Sequence, residues 1–352
     1  MSNNTTKIIP LESIDGKVRL TIYITCLILG TIGCCIVLIA LFTKKGCKWT
    51  DHRILLANLA VTDMTTIWAY VSVHFTLLSG NLYPSFCNFY PMLSVPLTTS
   101  IFTITSMAVI RYRRIVRMWS SNIKVITMII WVICLWVASF LLLSPAMVVV
   151  RPTGRYCILA WTHPFQRKTY VFALFAFQYL IPLIIISAAY IGIGHNLKHY
   201  EGQVERENVK KENRDIIITL AIISVIFALF LMPLQIGSVM FEFGGISIRK
   251  FVYMFMNYSD IFALVHCCIN PFVYGIVPRE FRERYWDWTS KVLRTISRGS
   301  ENTSYKISKP HDRELGRSRR STNPSLDNQV VLNSGECLKT TSLLSTNQQQ
   351  IT

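Results

Sequence analysis

The chain has 352 residues, of which 51% are hydrophobic and only 16% are charged, and its mean hydropathy is +0.38. A soluble domain carries about 25% charged residues, so this composition argues against a soluble protein and favours one that is solvated by lipid. The net charge of +17 does not indicate nucleic-acid binding, because the Lys and Arg residues flank apolar segments rather than line one face. Membrane phosphates and an acidic cytosolic partner explain these charges better.

The N-terminal segment, residues 1–18, is expected to be extracellular. Residues 1–16 have no apolar core of a cleavable signal, so the first helix is expected to direct insertion. Asn3 and Asn4 each begin an Asn-x-Thr sequon, which predicts glycosylation. The ten cysteines of the chain include no CxxC pair and no Cys/His cluster at metal-ligand spacing. We therefore expect no metal and no cofactor.

Seven apolar segments follow, each long enough for the roughly 20 residues that cross a bilayer as a helix. The third is separated from the second by turn signals at 79–81 and 83–85, since no charged residue interrupts 64–110. The predicted spans are 20–43, a segment after Arg53, a segment ending near Ile110, 125–150, 169–197, 216–241 and 251–277. The pattern predicts an all-α, seven-transmembrane helix bundle over residues 19–277.

The orientation of the bundle follows from its basic loops. Lys44, Lys45, Lys48 and Arg53 flank the first loop, and arginines crowd the end of the third span. Short basic loops stay in the cytosol, although the second outer loop also carries four basic residues. We therefore predict a multi-pass plasma-membrane protein with its N-terminus outside the cell.

Two polar groups lie inside predicted spans. Asp63 is near the middle of span two, and Asn270-Pro271 is near the inner end of span seven. A charge at mid-bilayer costs about 2.5–3.5 kcal/mol on insertion scales, so it needs a reason to be there. Asn270 could reach Asp63 across the bundle, and the alternative is an incidental polar pair that satisfies itself.

These residues belong to a series of motifs in a fixed order. The series is Leu59-Ala60-Val61-Thr62-Asp63 in span two; Arg111-Tyr112 with Ile115 at the end of span three; Pro182 with Tyr190 in span five; Phe227 with Pro233 in span six; and Asn270-Pro271-x-x-Tyr274 followed by Phe281. In this order the motifs resemble the rhodopsin-like (class A) family of G-protein-coupled receptors, from the first span to Phe281.

The resemblance implies a receptor that binds an extracellular ligand and activates heterotrimeric G proteins. It implies a disulfide between Cys87 and Cys157, which ties the second outer loop over the ligand entrance. The implied coupling and switch residues are Arg111, Tyr112, Tyr190, Phe227, Pro233, Asn270, Pro271 and Tyr274. Prolines at 182, 233 and 271 make three spans deformable, which allows two packings of the bundle.

The chain departs from the family at several of these positions. Ile110 stands where an acid normally precedes Arg111, and Asn213 stands where span six usually carries an acid, although Glu212 and Asp215 are adjacent. The usual resting ion pair of Arg111 is therefore weakened, and we expect raised signalling without ligand.

Two further departures concern polar contacts inside the bundle. The resemblance implies a sodium site at Asp63, Ser100 and Asn270, which is weakened because neighbouring positions read His266 and Cys267. Trp131 and Trp136 both compete for the family's single tryptophan of span four.

The ligand itself is only partly constrained. Leu93 stands where amine receptors carry an aspartate, and span seven has no lysine for a retinal Schiff base. The candidate pocket residues are Tyr90, Leu93, Leu97, Gln178, Gln235, Glu242, Tyr258 and Asp260. Two acids there would suit a basic ligand group, as on a peptide. Alternatively, Glu242 and Asp260 pair with Arg249, Lys250 or the arginines of the outer loop.

The segment after the seventh span is amphipathic. Phe281, Tyr285 and Trp288 recur at helical spacing among charges, so residues 278–290 are predicted to form a short membrane-surface helix in contact with lipid. Residues 291–352 are rich in Ser, Thr, Asn and Gln and are predicted to be a disordered cytoplasmic tail. Phosphorylation in this tail could create a docking site for arrestin.

Other classes of membrane protein are less compatible with the sequence. An enzyme needs paired catalytic groups, but Asp63 and Asp260 are at opposite depths and no phosphate-binding glycine loop is present. A transporter should show internal repeats, and none is found. The remaining alternative is an atypical receptor that scavenges or scaffolds without G-protein activation, for which Ile110 and Leu231 leave room.

Overall fold

The computed structural model describes residues 14–43, 49–79, 84–117, 123–153, 156–199, 207–276 and 290. Seven long helices form in this part of the chain. They are α1 (Ile14–Phe42), α2 (Asp51–Ser79), α3 (Val95–Val116), α4 (Val125–Val149), α5 (Pro164–Phe175, a π-helical turn Ala176–Leu180, and Ile181–His199), α6 (Glu207–Phe243) and α7 (Ile246–Ile276). A 3₁₀ helix, Pro84–Ser94, leads into α3.

The helices are apolar around most of their circumference, because a lipid-facing backbone must satisfy its own hydrogen bonds and a lipid-facing surface must be apolar. Six of the described helices are long and apolar enough to span a membrane. The seventh helix, α7, contains the apolar segment Tyr258–Val273. Its full 31 residues reach roughly 46 Å at 1.5 Å per residue, which is enough to cross.

The bundle is a closed ring of helices around α3. Packing proceeds from α1 to α2 and from α2 to α3, and α7 closes the ring against α1, α2 and α6. In the span that contains α3, 61% of the most apolar stretch is buried inside the bundle, whereas 17% of the corresponding stretch of α4 is buried. The central helix is therefore α3, while α4 exposes most of its apolar surface to lipid.

One end of the bundle is covered by a short β-hairpin. Strand β1 (Val150–Thr153) pairs antiparallel with β2 (Tyr156–Leu159), in a register that places Pro152 opposite Cys157. The expected disulfide between Cys87 and Cys157 is present and joins β2 to the 3₁₀ helix that leads into α3. We call this end of the bundle the hairpin end and the opposite end, where α3 finishes, the Arg111 end.

The prolines of the predicted deformable spans lie inside continuous helices. Pro233 is inside α6 and Pro271 inside α7, where each removes one backbone hydrogen bond. In α5 the irregularity is the π-helical turn, which ends two residues before Pro182. Three helices of the bundle thus contain a local irregularity at which the helix can bend.

The observed helix ends differ modestly from the predicted spans. The predicted break after span two is confirmed, since α2 ends at Ser79 and the 3₁₀ helix begins at Pro84. Helices α1 and α6 begin earlier, at Ile14 and Glu207, because a helix can continue past the apolar part that crosses lipid. The sequons at Asn3 and Asn4, the predicted tail and, apart from Ser290, the predicted surface helix lie outside the described residues.

Candidate ligand pocket and conformational switch

A polar cluster ties three helices together in the middle of the bundle. The carboxylate of Asp63 on α2 accepts hydrogen bonds from Ser100 on α3 and from Asn270 on α7, each at 2.8 Å. All three residues are almost completely buried. The structure therefore brings together the acid, the hydroxyl and the amide that the sequence singled out.

The residues around this cluster fit a sodium ion poorly. Sodium prefers oxygen ligands, as hard cations do, but the Cys267 thiol hydrogen-bonds Asp63, and His266 is fully buried nearby in sequence. Both carboxylate oxygens of Asp63 already accept a hydrogen bond. The amide oxygen of Asn270 is buried without a hydrogen-bond partner among the described residues, but the neighbouring thiol and imidazole supply no further oxygen ligands.

A second polar contact resolves which tryptophan of α4 faces the bundle. Trp136 donates to Asn58 on α2 at 3.0 Å, and Asn58 donates in turn to Thr103 on α3 at 2.8 Å. Trp131 also donates, to Ser106 at 3.2 Å, but its side chain is 47% exposed. Trp136 is thus the tryptophan that connects α4 to both α2 and α3.

The predicted switch residues gather along α3, α5 and α6. Phe227 on α6 is fully buried, and its ring contacts Tyr179 of α5 at 6.0 Å and His266 of α7 at 6.4 Å between ring centroids. Near the Arg111 end, the ring of Tyr112 packs closely against Gly192 of α5. A Cβ atom on that glycine would lie 2.5 Å from the nearest ring carbon. Only a glycine allows this approach of α3 and α5.

Arg111 lies within electrostatic range of Tyr190 on α5 and of His52 on α2. Ile110, in the place of the usual acid, packs against the apolar core. The side chains of Asn213 and Tyr274 lie outside the described part of the chain. An ion pair that the sequence did not predict stands close by, between Arg114 of α3 and Asp51 of α2.

At the hairpin end the bundle encloses a cavity of about 550 Å³. Six of the eight predicted pocket residues line it, namely Tyr90, Leu93, Gln178, Gln235, Glu242 and Asp260. The other two do not. Leu97 is buried in the core, and Tyr258 donates to Asp15 of α1 at 3.0 Å while its ring lies under the Arg19 guanidinium.

Two amides form a hydrogen-bonded pair in the wall of the cavity. Gln235 of α6 donates to Gln178 of α5 at 3.0 Å, and Gln178 donates to Thr98 of α3 at 2.8 Å. Gln178 lies in the π-helical turn of α5, and Gln235 follows Pro233 by two residues. The pocket is therefore connected directly to the irregular parts of two helices.

Both acids of the cavity have partners. His74 of α2 lies 3.2 Å from the Asp260 carboxylate, and Arg167 near the start of α5 lies 2.8 Å from that of Glu242. The alternative in which an outer-loop arginine pairs with an acid is thus observed for Glu242. His74 and the aromatic lining of Tyr70, Trp161 and Tyr170 were missed, because no motif or spacing marks them.

The comparisons with known proteins agree with this architecture. The family model "7 transmembrane receptor (rhodopsin family)" matches residues 33–274, more than half of the chain. Galanin receptor type 1 of Homo sapiens is 25% identical over 287 residues, which cover 77% of this chain and 81% of that protein. Neuropeptide Y receptor type 6 of Mus musculus is 27% identical, covering 74% of this chain and 77% of its own length.

Neuropeptide FF receptor 2 of Rattus norvegicus is 23% identical, covering 76% of this chain and 70% of its own length. The motif series, the buried Asp63 cluster, the disulfide over the cavity and the family match lead to one conclusion. The chain is a multi-pass membrane protein, not an enzyme, and belongs to the rhodopsin family of seven-transmembrane receptors.

Proposed function

We propose that this receptor binds an extracellular peptide in the cavity at its hairpin end and activates a heterotrimeric G protein at its Arg111 end. The observation that carries the proposal is the cavity itself, about 550 Å³ in volume and lined by an Arg–Glu ion pair, a His–Asp contact and an amide pair. Ligand pockets measure roughly 300–1,000 Å³, so the cavity accommodates the end of a peptide. The relatives are named as receptors for galanin, neuropeptide Y and neuropeptide FF.

The proposed orientation places the hairpin end outside the cell. The disulfide between Cys87 and Cys157 suits an oxidising compartment, and the basic first loop suits the cytosol. The plasma membrane is the location where such a receptor meets a secreted peptide. The exposed apolar surface of α4 contacts lipid, and arrestin is a candidate partner of the Ser/Thr-rich tail.

A ligand in this cavity has a route to the Arg111 end. The amide pair joins the π-helical turn of α5 to the segment of α6 that follows Pro233. On the same two helices, the hydroxyl of Tyr179, the residue after Gln178, donates to the carbonyl of Ala228 at 2.9 Å, about two turns from Gln235 on α6. The ring of Tyr179 packs on Phe227. A ligand that changes the spacing of Gln178 and Gln235 therefore favours one of two packings of α5 and α6.

Two binding modes of related receptors are not supported by the residues of this chain. Leu93 lines the cavity where an aspartate would hold an amine, so a biogenic amine has no carboxylate at that position. The described part of α7 after Lys250 contains no lysine, so retinal has no amine for a Schiff base.

A cell-based panel tests the proposal. Cells that express the chain are exposed to a library of secreted peptides, and dissociation of each class of G protein and recruitment of arrestin are recorded together. We expect at least one G-protein class to respond, and an Arg111→Ala variant that still reaches the surface to lose that response. Arrestin recruitment without any G-protein response would instead identify the atypical receptor, and binding without either response would refute the proposal.

A further inference from the structure

We propose that Asp260 binds a cationic group of the ligand, an ammonium or a guanidinium, by displacing His74, whereas Glu242 is kept from the ligand by Arg167. This inference rests on the proposed function, because it assigns the charge-recognition site of the same cavity. Both acids line the cavity, so sequence position alone does not distinguish them. They differ in the side chain with which each is paired.

The pair of Glu242 and Arg167 is closed to a ligand cation. The guanidinium approaches the carboxylate to 2.8 Å, and the carboxylate side chain is only 8% exposed. An arginine keeps its charge at all physiological pH values, so this pair has no net charge. A ligand cation would have to separate a permanent ion pair and leave the guanidinium without its partner.

The pair of Asp260 and His74 is open. The carboxylate side chain is 33% exposed, lines the cavity and has its ion-pair contact with an imidazole at 3.2 Å. An imidazole, unlike a guanidinium, can be neutral, so this contact does not guarantee a compensating charge. When the imidazole is neutral, a full negative charge remains in the cavity wall.

The surroundings of this pair hold the imidazole in place and favour a cation beside it. The His74 ring stacks on Tyr23 of α1 at 4.6 Å and contacts Tyr70 of α2 at 6.3 Å between centroids. Tyr70 and Tyr90 line the cavity as well and lie within electrostatic range of Asp260. Phenol rings next to a carboxylate provide a cation–π surface for an ammonium or a guanidinium.

Further described polar and charged groups that face the Asp260–His74 pair come from α1. Tyr23 stacks on His74, and Arg19 and Asp15 lie further out along the helix and pair with each other at 3.3 Å. Asp15 and Arg19 have no net charge together. His74 is therefore the described neighbour of Asp260 that a ligand cation has to displace.

The first experiment measures the charge of the cavity without any ligand. Leu93 lines the cavity, so a Leu93→Cys variant in lipid nanodiscs reports the rate of labelling by a cationic and by an anionic methanethiosulfonate reagent. The ratio of the two rates measures the local potential. Labelling of the chain with native Leu93 is subtracted as the background from its other cysteines.

Two neutralised pairs distinguish the acids. In the Leu93→Cys background, His74→Gln with Asp260→Asn should lower the preference for the cationic reagent by about tenfold. The matched replacement of Arg167→Gln with Glu242→Gln should leave it unchanged, because that pair is neutral. Equal ratios for both double variants, or a larger effect of the second, would overturn the assignment even if the chain binds peptides.

Single variants provide the second readout. Asp260→Asn alone should lower the preference for the cationic reagent about as much as the double variant does, whereas His74→Gln alone should not lower it. A loss of the same size in His74→Gln would overturn the assignment of the charge to Asp260.

The third measurement uses a random peptide library selected for binding to the nanodisc-embedded receptor. We expect the enriched peptides to share a Lys, an Arg or a free amino end, and Asp260→Asn to weaken their binding at least tenfold. Enriched peptides that lack a cation would contradict this inference but leave the proposed function standing. The absence of any enriched peptide would count against the proposed function itself, while the labelling ratio still decides which acid carries the charge.

Discussion

Arg114 at the end of α3 and Asp51 at the start of α2 form an ion pair of 2.7 Å at the Arg111 end. The carboxylate side chain is 1% exposed and the guanidinium side chain 30% exposed, so the acid depends on the pair far more than the arginine does. The pair joins two neighbouring helices beside the position where Ile110 replaces the usual acid. It restrains α3 in a way that the sequence did not predict.

Replacing Arg114 should destabilise the receptor more than replacing Asp51. Arg114→Met leaves a buried carboxylate without its cation and should destabilise the receptor by about 3 kcal/mol. Asp51→Asn leaves an arginine that can turn toward solvent, and should cost clearly less. Thermal unfolding of both variants in nanodiscs checks the order, and equal losses would show that Asp51 is solvated by some other route.

Basal signalling should depend on the residue before Arg111. Ile110 packs against the core and provides no charge to hold Arg111 at rest, so we expect measurable G-protein activation without ligand. Ile110→Asp places a carboxylate next to the arginine and should lower this basal activity several-fold, whereas Ile110→Asn, of similar polarity but uncharged, should lower it less. If both variants behave alike at equal surface expression, charge at this position is not the cause.

The Asp63 cluster should be a stability determinant. Ser100→Ala and Asn270→Ala each remove one hydrogen-bond donor from a buried carboxylate, which costs about 1–3 kcal/mol. Thr105→Ala is the matched control on α3, because that hydroxyl bonds to the carbonyl of Ile101 within its own helix. The midpoints of thermal unfolding should fall for the first two variants and stay close to that of the parent for the third.

Replacing potassium by sodium in the same unfolding assay should leave the parent midpoint unchanged, since the cluster fits sodium poorly. A rise that depends on Asp63 would contradict this reading of the site.

Two glycines of α5 provide a matched test of helix packing near the Arg111 end. A Cβ at Gly192 would lie 2.5 Å from the ring of Tyr112, whereas a Cβ at Gly194 would have nothing within 4 Å. Gly192→Ala should therefore destabilise the receptor by about 1–3 kcal/mol and impair G-protein activation. Gly194→Ala should be neutral or stabilising by up to about 1 kcal/mol, because alanine favours helix. Similar behaviour of the two variants would refute the close contact of α3 and α5.

The helices could be predicted because the bilayer imposes a minimum apolar length and tolerates few charges. The contact between Asp63 and Asn270 could be predicted because both belong to motifs. Tyr258 was predicted to face the pocket, but it does not line the cavity. It is two residues from Asp260, so the two side chains point in nearly opposite directions around the helix.

The specific partners of the charged residues could not be predicted from the sequence. The partners of Asp260, Glu242 and Arg114 all lie on other helices. Such a pairing depends on the rotation and depth of two helices, and neither quantity is encoded in the apolar pattern of one of them. For Glu242, the outer-loop arginines were named as candidates, but the specific choice of Arg167 required the packing of α5 against α6.

The most direct test of the central claim is nucleotide exchange on purified G proteins by the receptor in nanodiscs, with and without peptides selected for binding. We predict that the receptor accelerates exchange on at least one class of G protein, that a selected peptide changes the rate, and that Arg111→Ala abolishes the acceleration while peptide binding is retained. Exchange rates no different from those with empty nanodiscs, for every class and with every bound peptide, would contradict the account.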